Sequence, residues 1–485
     1  MRLLLLTNTL LFFGQAVHSI TPSLRNVSND AEEHYTLGAK MDRIVDLPGL
    51  NKDSKLKQFS GYLTVDEKTN RSIFYWYVES LSDPSTDPVV LWTNGGPGCS
   101  GLLGFGTEQG PYHIQKDGTL KTNPYAWNNI ANMLFVEQPA GVGFSFSDDA
   151  DDYHTGDEQA AVDNYELLKQ FLQKFPERKE NKLYIASESY GGHYMPQLAK
   201  QILEKNTDNS INFKGFLVGN PFVDSYSNSV AQYRQMYYDG LIPKPLYDEY
   251  EKKCTNGEAR FIVNLCPDIE ALMMLEMGSD INPYALDYPV CDASSHSRKT
   301  QSGSQGLKLL HHTLDQSIIQ KAFLHDIYLN PYEPCREEYL LSYLNRKDVR
   351  EAIHAEEGVG KWSSCSHKVH YKISDRFSSQ VDLYKELVTG GHNLDILVYS
   401  GDDDSICPTS GTQDWIFDLG VKPKPARLWT PWHSEESQVA GYTTHFEVES
   451  GTFTFATVHG AGHEVPAYKP KQAYRLFKKF LNGNI

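Results

Sequence analysis

The chain has 485 residues, with 45 Lys or Arg against 62 Asp or Glu, a net charge of −17 at pH 7. A surface of that sign repels phosphate backbones and anionic lipid headgroups, which argues against nucleic-acid partners. With 40% hydrophobic residues, 36 Gly and 24 Pro, the chain is neither wholly disordered nor collagen-like or low in complexity.

The first residues supply one early positive charge at Arg2, an apolar run from Leu3 to Phe13 and then small residues. This pattern predicts a secretory signal peptide over residues 1–19, cut near Ala16 to Ser19. The run is shorter than the ~20 residues a spanning helix needs, and Thr7 and Asn8 interrupt it. No later stretch is apolar enough for a membrane span. The expected destination is the secretory pathway, secreted or lysosomal/vacuolar, and a pI of about 5.5 suits an acidic compartment. Export permits disulfides, and because there are seven cysteines at least one must stay free or pair outside the chain. Asn26 and Asn70 each open an N-x-S/T triplet and are candidate glycan acceptors.

Seven short β-rich runs follow: Phe59–Val65, Ser72–Val78, Val89–Trp92, Asn132–Val136, Leu183–Ala186, Phe213–Val218 and Leu394–Tyr399. Several are continuously apolar, as a sheet covered on both faces requires. Between two of them Ala161, Tyr165, Leu168, Leu172 and Phe175 recur at helical spacing and form one apolar face. Thr443–Phe446 and Thr452–Val458, split by Glu447–Gly451, predict a hairpin, and residues 469–482 an amphipathic helix. Strand alternating with helix gives an α/β fold with a mostly parallel central sheet and helices on both faces. Residues 224–375 differ. They hold five of the seven cysteines and a polar, Ser-rich stretch at 294–306, and are read as a largely helical cap insertion with an exposed, protease-accessible loop. The core is then expected in two parts, 20–223 and 376–485.

Three turns that follow strands carry chemistry. YIASESYGG (184–192) is a strand running into a small-residue turn with Ser189, and a helical pattern follows. That is the context of a nucleophile elbow, although Ser187 stands where G-x-S-x-G has its first glycine. A serine hydroxyl needs a base and the base an orienting carboxylate. The turn after Leu397 offers Asp402, Asp403 and Asp404, and His463 sits in a Gly-rich loop just past a later strand, in the order Ser, Asp, His. A fourth turn, WTNGGPGCS (92–100), presents the Gly-rich backbone that an oxyanion hole needs. Neither an H-E-x-x-H motif nor a Cys/His cluster of zinc spacing is present, so neither metal nor cofactor is expected.

WTNGGPGCS, FVEQPAGVGFSFS, ESYGGHYMP, GDDDSICP and HGAGHEVP, in this order, resemble the serine carboxypeptidases, secreted acid peptidases of the α/β-hydrolase fold. The resemblance spans roughly residues 35–482. It implies Ser189 as nucleophile, His463 as general base and acid, and Asp404 as the orienting carboxylate, three residues before Cys407. It also implies an oxyanion hole from the N–H groups of Gly96 and Tyr190. Asn94, Gly95, Glu108 and Glu188 would receive the substrate's C-terminal carboxylate. Two close carboxyls cannot both ionise cheaply, so one keeps a proton and can donate to that carboxylate. An ionised one repels it by a few kcal/mol at an effective dielectric of about 20. The expectation is a kcat/KM that falls as pH rises from about 5 to 8, mainly through KM. Glu464, beside the base, would favour basic as well as apolar leaving residues. The implied disulfides are Cys99–Cys365, Cys254–Cys266 and Cys291–Cys335, with Cys407 left as a free, mercurial-sensitive thiol near the site.

The function expected from the sequence is removal of one C-terminal residue through an acyl-enzyme, with acidic preference. Two alternatives stand beside it: an acyltransferase with the same triad, and a protective or binding role toward other lysosomal proteins. The expected partners are peptide or protein C-termini, with a homodimer as the candidate assembly.

Overall fold

Strand Arg71–Val78 is buried at every residue, and its alternate side chains enter two different cores. Ile73, Tyr75 and Tyr77 face one way; Phe74, Trp76 and Val78 face the other. Only a sheet sandwiched between two layers can use such a run, because successive side chains point to opposite faces. In the computed structural model, which describes residues 34–51, 54–255, 266–278, 280–291, 332–424, 428–434 and 437–485, that sheet has ten strands. They are β1 (Gln58–Asp66), β2 (Arg71–Val78), β3 (Val89–Thr93), β4 (Asn132–Val136), β5 (Leu183–Glu188), β6 (Phe213–Gly219), β7 (Asp395–Gly401), β8 (Thr430–His433), β9 (Val439–His445) and β10 (Thr452–Val458). Their spatial order is β1-β2-β4-β3-β5-β6-β7-β10-β9-β8. The middle of the sheet, from β4 to β10, is parallel, and antiparallel pairs close both edges.

Helix α1 (Asp157–Lys174) and helix α2 (Gly191–Lys205) cover one face. The face foreseen on α1 is buried at Ala161, Leu168 and Leu172, and Leu167 and Phe171 widen it. The C-terminal helix α3 (Pro470–Leu481) covers the other face through Ala473, Leu476, Phe477 and Phe480, with the Phe477 ring stacked on Trp127 at 4.0 Å. Each such buried Leu or Phe side chain contributes roughly 1.5–3 kcal/mol of transfer free energy.

The expected hairpin is present, with β9 and β10 antiparallel. Strand β8 was not foreseen. It contains Pro431 and buries only Trp432, so it lacks a strand's apolar pattern, and a proline is tolerated there because β8 lies at the sheet edge.

Between β6 and β7 the described chain is mostly helical, with helices at Ser225–Tyr238, Lys244–Cys254, Pro267–Met277, Arg336–Leu344 and Lys347–Ala352. The first three pack on one another around Tyr233, Met236, Tyr250 and Met273. Helix Arg336–Leu344 instead sends Leu340, Tyr343 and Leu344 into the sheet's own core. The predicted signal peptide, Asn26 and the 294–306 loop lie outside the described residues. Asn70 is exposed in the turn between β1 and β2, where its amide donates to Asp148 at 3.1 Å. Among the described residues no helix is long and apolar enough to cross a membrane.

Candidate active site

Parallel neighbours in a sheet bring the loops at their C-terminal ends side by side, which is where α/β folds place their sites. Strands β3, β5, β6, β7 and β10 do this here. Ser189 lies between the end of β5 and the start of α2, with φ +59°, a left-handed conformation that costs a non-glycine residue about 1–3 kcal/mol. The surroundings hold it there. Its N–H donates to Gly219 at 3.0 Å, and its carbonyl accepts from Gly192 at 2.9 Å and Phe222 at 2.8 Å. A Cβ on Gly191 would lie 2.0 Å from Ser187 Oγ, so Ser187 occupies the space that the missing side chain leaves. The turn thus closes tightly despite lacking its usual first glycine.

Asp404 follows β7 and His463 follows β10, and because these strands pair, the two turns meet. His463 Nδ1 and Asp404 Oδ2 are 2.7 Å apart, and both side chains are buried. Asp404 accepts three further bonds: from the N–H groups of Ile406 at 2.7 Å and Cys407 at 3.1 Å, and from Asn220 Nδ2 at 2.9 Å. The neighbouring aspartates are engaged elsewhere. Asp402 bonds the exposed His459 at 2.7 Å, and Asp403 accepts from the Asp287 N–H at 3.1 Å. Of the three, Asp404 alone orients His463. Burial pulls the imidazole's proton affinity down, but the charge and hydrogen bond of Asp404, with Glu464 and Glu108 behind them, outweigh it and bring His463 up to about 9. Burial, then the charges of Asp404 and Glu188, push the Cys407 thiol up as well, so it stays neutral.

Asn94 sits at the centre of the polar floor. Its carbonyl accepts from Trp92 Nε1 at 2.9 Å and Gly104 N at 3.1 Å, which fixes the amide's orientation. Its NH2 donates to Glu108 at 3.0 Å and to Glu188 at 2.8 Å. Both glutamates are buried, and each has a second oxygen with no hydrogen-bond partner among the described residues. Burial, then Glu464, raises Glu108 to about 8; burial, then Glu108 itself, raises Glu188 well above the usual carboxylate range.

The Gly-rich loop after β3 packs directly on the elbow. A Cβ on Gly95 would lie 2.5 Å from Tyr190 N and 2.8 Å from Ser189 Cβ, so only glycine permits this approach. Gly96 is exposed at φ +113°. Cys99 bonds Cys365, and Ser100 N donates to Ser364 O at 2.8 Å, so the loop is fastened to the segment around residues 364–365. Ser189, His463, Asn94, Gly96, Glu108 and Glu188 line one cleft of about 570 Å³.

The model of the serine carboxypeptidase family matches residues 48–483. The chain belongs to the serine carboxypeptidase family. Serine carboxypeptidase-like 26 of Arabidopsis thaliana is 39% identical over 449 residues, 91% of this chain and 93% of that protein. Serine carboxypeptidase 24 of the same plant is 39% identical over 451 residues, covering 91% and 92%. Among solved structures, Kex1(delta)p, a prohormone-processing carboxypeptidase from Saccharomyces cerevisiae, superposes with a TM-score of 0.73 at 21% identity, covering 92% of this chain and 96% of that one. The fold is therefore that of the α/β-hydrolases.

All three disulfides expected of a serine carboxypeptidase are formed, and Cys407 is free and buried. Glu464 lines the same cleft as Ser189, together with Tyr284, Tyr332, Arg336 and Tyr468, and burial raises its carboxyl. Two site residues escaped the sequence reading. Asn220 bonds Asp404 and, through its carbonyl, Gly401 N at 2.9 Å; its only signal was an Asn-Pro pair at a strand end. The carbonyl of Tyr284 accepts from His463 N at 2.7 Å, and its ring stands edge-on to the imidazole. Nothing local to Tyr284 marks it, because its partner arrives through tertiary packing.

Proposed function

We propose that this serine carboxypeptidase family member hydrolyses the last peptide bond of peptides and proteins by way of an acyl-enzyme. The observation that carries the reading is Asn94 bonded to two buried carboxyls, one of them adjacent to the nucleophile. A peptide chain's terminal carboxylate accepts hydrogen bonds from Asn94 and from whichever of Glu108 and Glu188 keeps its proton. That contact sets the final carbonyl over Ser189.

Ser189 Oγ then attacks that carbonyl while His463 takes its proton, and Asp404 stabilises the imidazolium. The N–H groups of Gly96 and Tyr190 receive the developing oxyanion, a contribution worth roughly 10²–10³ in rate for each donor. His463 returns the proton to the departing amine, and the C–N bond breaks. Water, deprotonated by His463, releases the acyl group. An acyltransferase would share every step but the last, where an alcohol replaces water.

Two titrations act in opposite directions. An ionised Glu108 repels the substrate's carboxylate, so affinity is present in acid and is lost as pH rises through about 8. His463 must be neutral to act as base, so turnover falls as pH drops below its raised value. On this reading acid preference resides in KM.

The test is a blocked dipeptide with a free C-terminus, assayed with and without an added alcohol, with Ser189→Ala as control. Release of one amino acid that Ser189→Ala abolishes supports the reading. Product found mainly as the ester of the alcohol would replace it with acyl transfer.

A further inference from the structure

Bonded to the elbow through Tyr190 and His193, and not among the residues that line the cleft, is a buried acid that the mechanism above does not use. Asp157 opens α1 and is 5% exposed. Its Oδ1 accepts from the Tyr190 hydroxyl at 3.0 Å and from the Tyr371 hydroxyl at 2.7 Å, and its Oδ2 lies 2.9 Å from His193 Nδ1. Burial pushes the phenols of Tyr190 and Tyr371 far up, so both are fixed as donors. The Tyr190 ring is enclosed. It stacks on His193 at 4.4 Å and meets Tyr194 edge-on at 5.2 Å and Tyr371 at 5.5 Å.

Tyr190 is the residue whose N–H faces the oxyanion in the reading above, and this inference rests on that reading. The other donor belongs to the Gly-rich loop, which reaches the same cluster from a second direction. Gly98 N donates to the Tyr194 hydroxyl at 3.1 Å. Tyr371 comes from the strand that follows the Cys365 anchor and pairs with residues 154–155 just before Asp157. Asp375 closes the arrangement by accepting the Asp157 N–H at 3.0 Å. Both halves of the hole are therefore tied into one buried group of phenols, an imidazole and a carboxylate.

We propose that Asp157 is the positioning residue of the oxyanion hole: its buried carboxylate holds the Tyr190 ring, and through it the Tyr190 N–H, in register with the Gly95–Gly98 loop. A backbone donor cannot be aimed by its own rotamer, so its direction is set by whatever fixes the side chain and the chain on either side. A merely structural Asp157, favourable in the first turn of a helix, would affect folding and leave turnover alone.

The test compares Asp157→Ala, Asp157→Asn and Tyr190→Phe with the wild type. Loosening a donor is milder than removing one, so Asp157→Ala is expected to lower kcat about 10- to 100-fold with KM within about threefold. Asp157→Asn keeps an acceptor for the phenols and should recover most of the loss. Tyr190→Phe, which deletes one hydroxyl and tests the tie if Asp157→Ala does not fold, should lower kcat about three- to tenfold. The rate at which an organophosphonate labels Ser189 should fall in parallel, since that reaction needs the hole but not a peptide. A folded Asp157→Ala protein with unchanged kcat and labelling rate overturns the proposal, as does a Tyr190→Phe protein with wild-type values for both. A wild-type chain that is labelled yet cleaves no peptide sinks the carboxypeptidase reading instead, and the labelling rates of the variants then decide this one.

Discussion

Glu108 follows the short helix Leu102–Thr107 and Glu188 ends β5, yet a single amide joins them: Asn94 Nδ2 lies 3.0 Å from one and 2.8 Å from the other. Burial is the leading cause of both raised proton affinities, and it outweighs the opposing charge of His463 on Glu108. The pair thus stores a proton, which the proposed function uses to receive a chain's terminal carboxylate.

Replacing one member of the pair separates binding from turnover. Glu108→Gln cannot ionise, so its KM for a free-carboxylate peptide should stay nearly flat above pH 8, where the wild-type KM rises about tenfold per pH unit. Steady-state kinetics from pH 5 to 9 give the comparison. A wild-type rise that persists unchanged in the variant would remove Glu108 from the binding role.

Glu464 lies in the cleft beside His463, where a basic leaving residue would meet its carboxylate. Glu464→Met is expected to lower the rate on Arg-ending peptides relative to Leu-ending ones about tenfold, equivalent to ~1.4 kcal/mol. Competition assays on a mixed pair of substrates measure it directly. An unchanged ratio would make Glu464 a bystander.

Asn220 adopts φ +36°, a conformation Asn tolerates better than most residues, and from there reaches Asp404 at 2.9 Å. Asn220→Ala leaves Asp404 with one bond fewer and Gly401 N without its acceptor. The expected result is a kcat lower by about tenfold with KM little changed, and a stability loss of about 1–3 kcal/mol. Denaturant unfolding alongside kinetics tells the roles apart; lost stability with intact kcat would reduce Asn220 to a tether between strands.

Glu137 is a fully buried carboxyl behind the oxyanion loop. It accepts from Phe144 N at 2.7 Å, from Trp362 Nε1 at 2.6 Å and from the Ser100 hydroxyl. Burial raises it from 4.5 to about 7 despite these bonds. A carboxyl whose folded value lies above its unfolded one contributes stability in acid that is lost as pH rises through the folded value. Between pH 4.5 and 7 that loss amounts to at most about 3 kcal/mol. Glu137→Gln should therefore unfold with a shallower pH dependence over this window, as read from melting temperatures at pH 4.5, 6 and 8. An identical slope would assign the pH dependence to other carboxyls.

What was readable in the sequence was local. The central strands announced themselves because burial on both faces demands unbroken apolar runs, as in β2 and β4. Ser189 and His463 were legible because each sits just past such a run. The choice of Asp404 over Asp402 and Asp403 was not open to local reasoning, since the three differ only in what approaches them; the family resemblance supplied it, and the 2.7 Å contact with His463 agrees. Asn220, Tyr284 and Asp157 stayed hidden for the same reason. Their partners lie far away along the chain, and no periodicity encodes such a meeting. Strand β8, with Pro431 and one buried side chain, is an edge that only its neighbour β9 defines.

The measurement that bears most directly on the central claim is the ratio of kcat/KM for a blocked dipeptide acid to that for its amide, followed across pH. If Asn94 with a protonated glutamate selects free chain ends, the acid is preferred at least tenfold at pH 5–7, and the preference disappears as pH climbs past about 8. Equal cleavage of acid and amide at every pH would contradict the account.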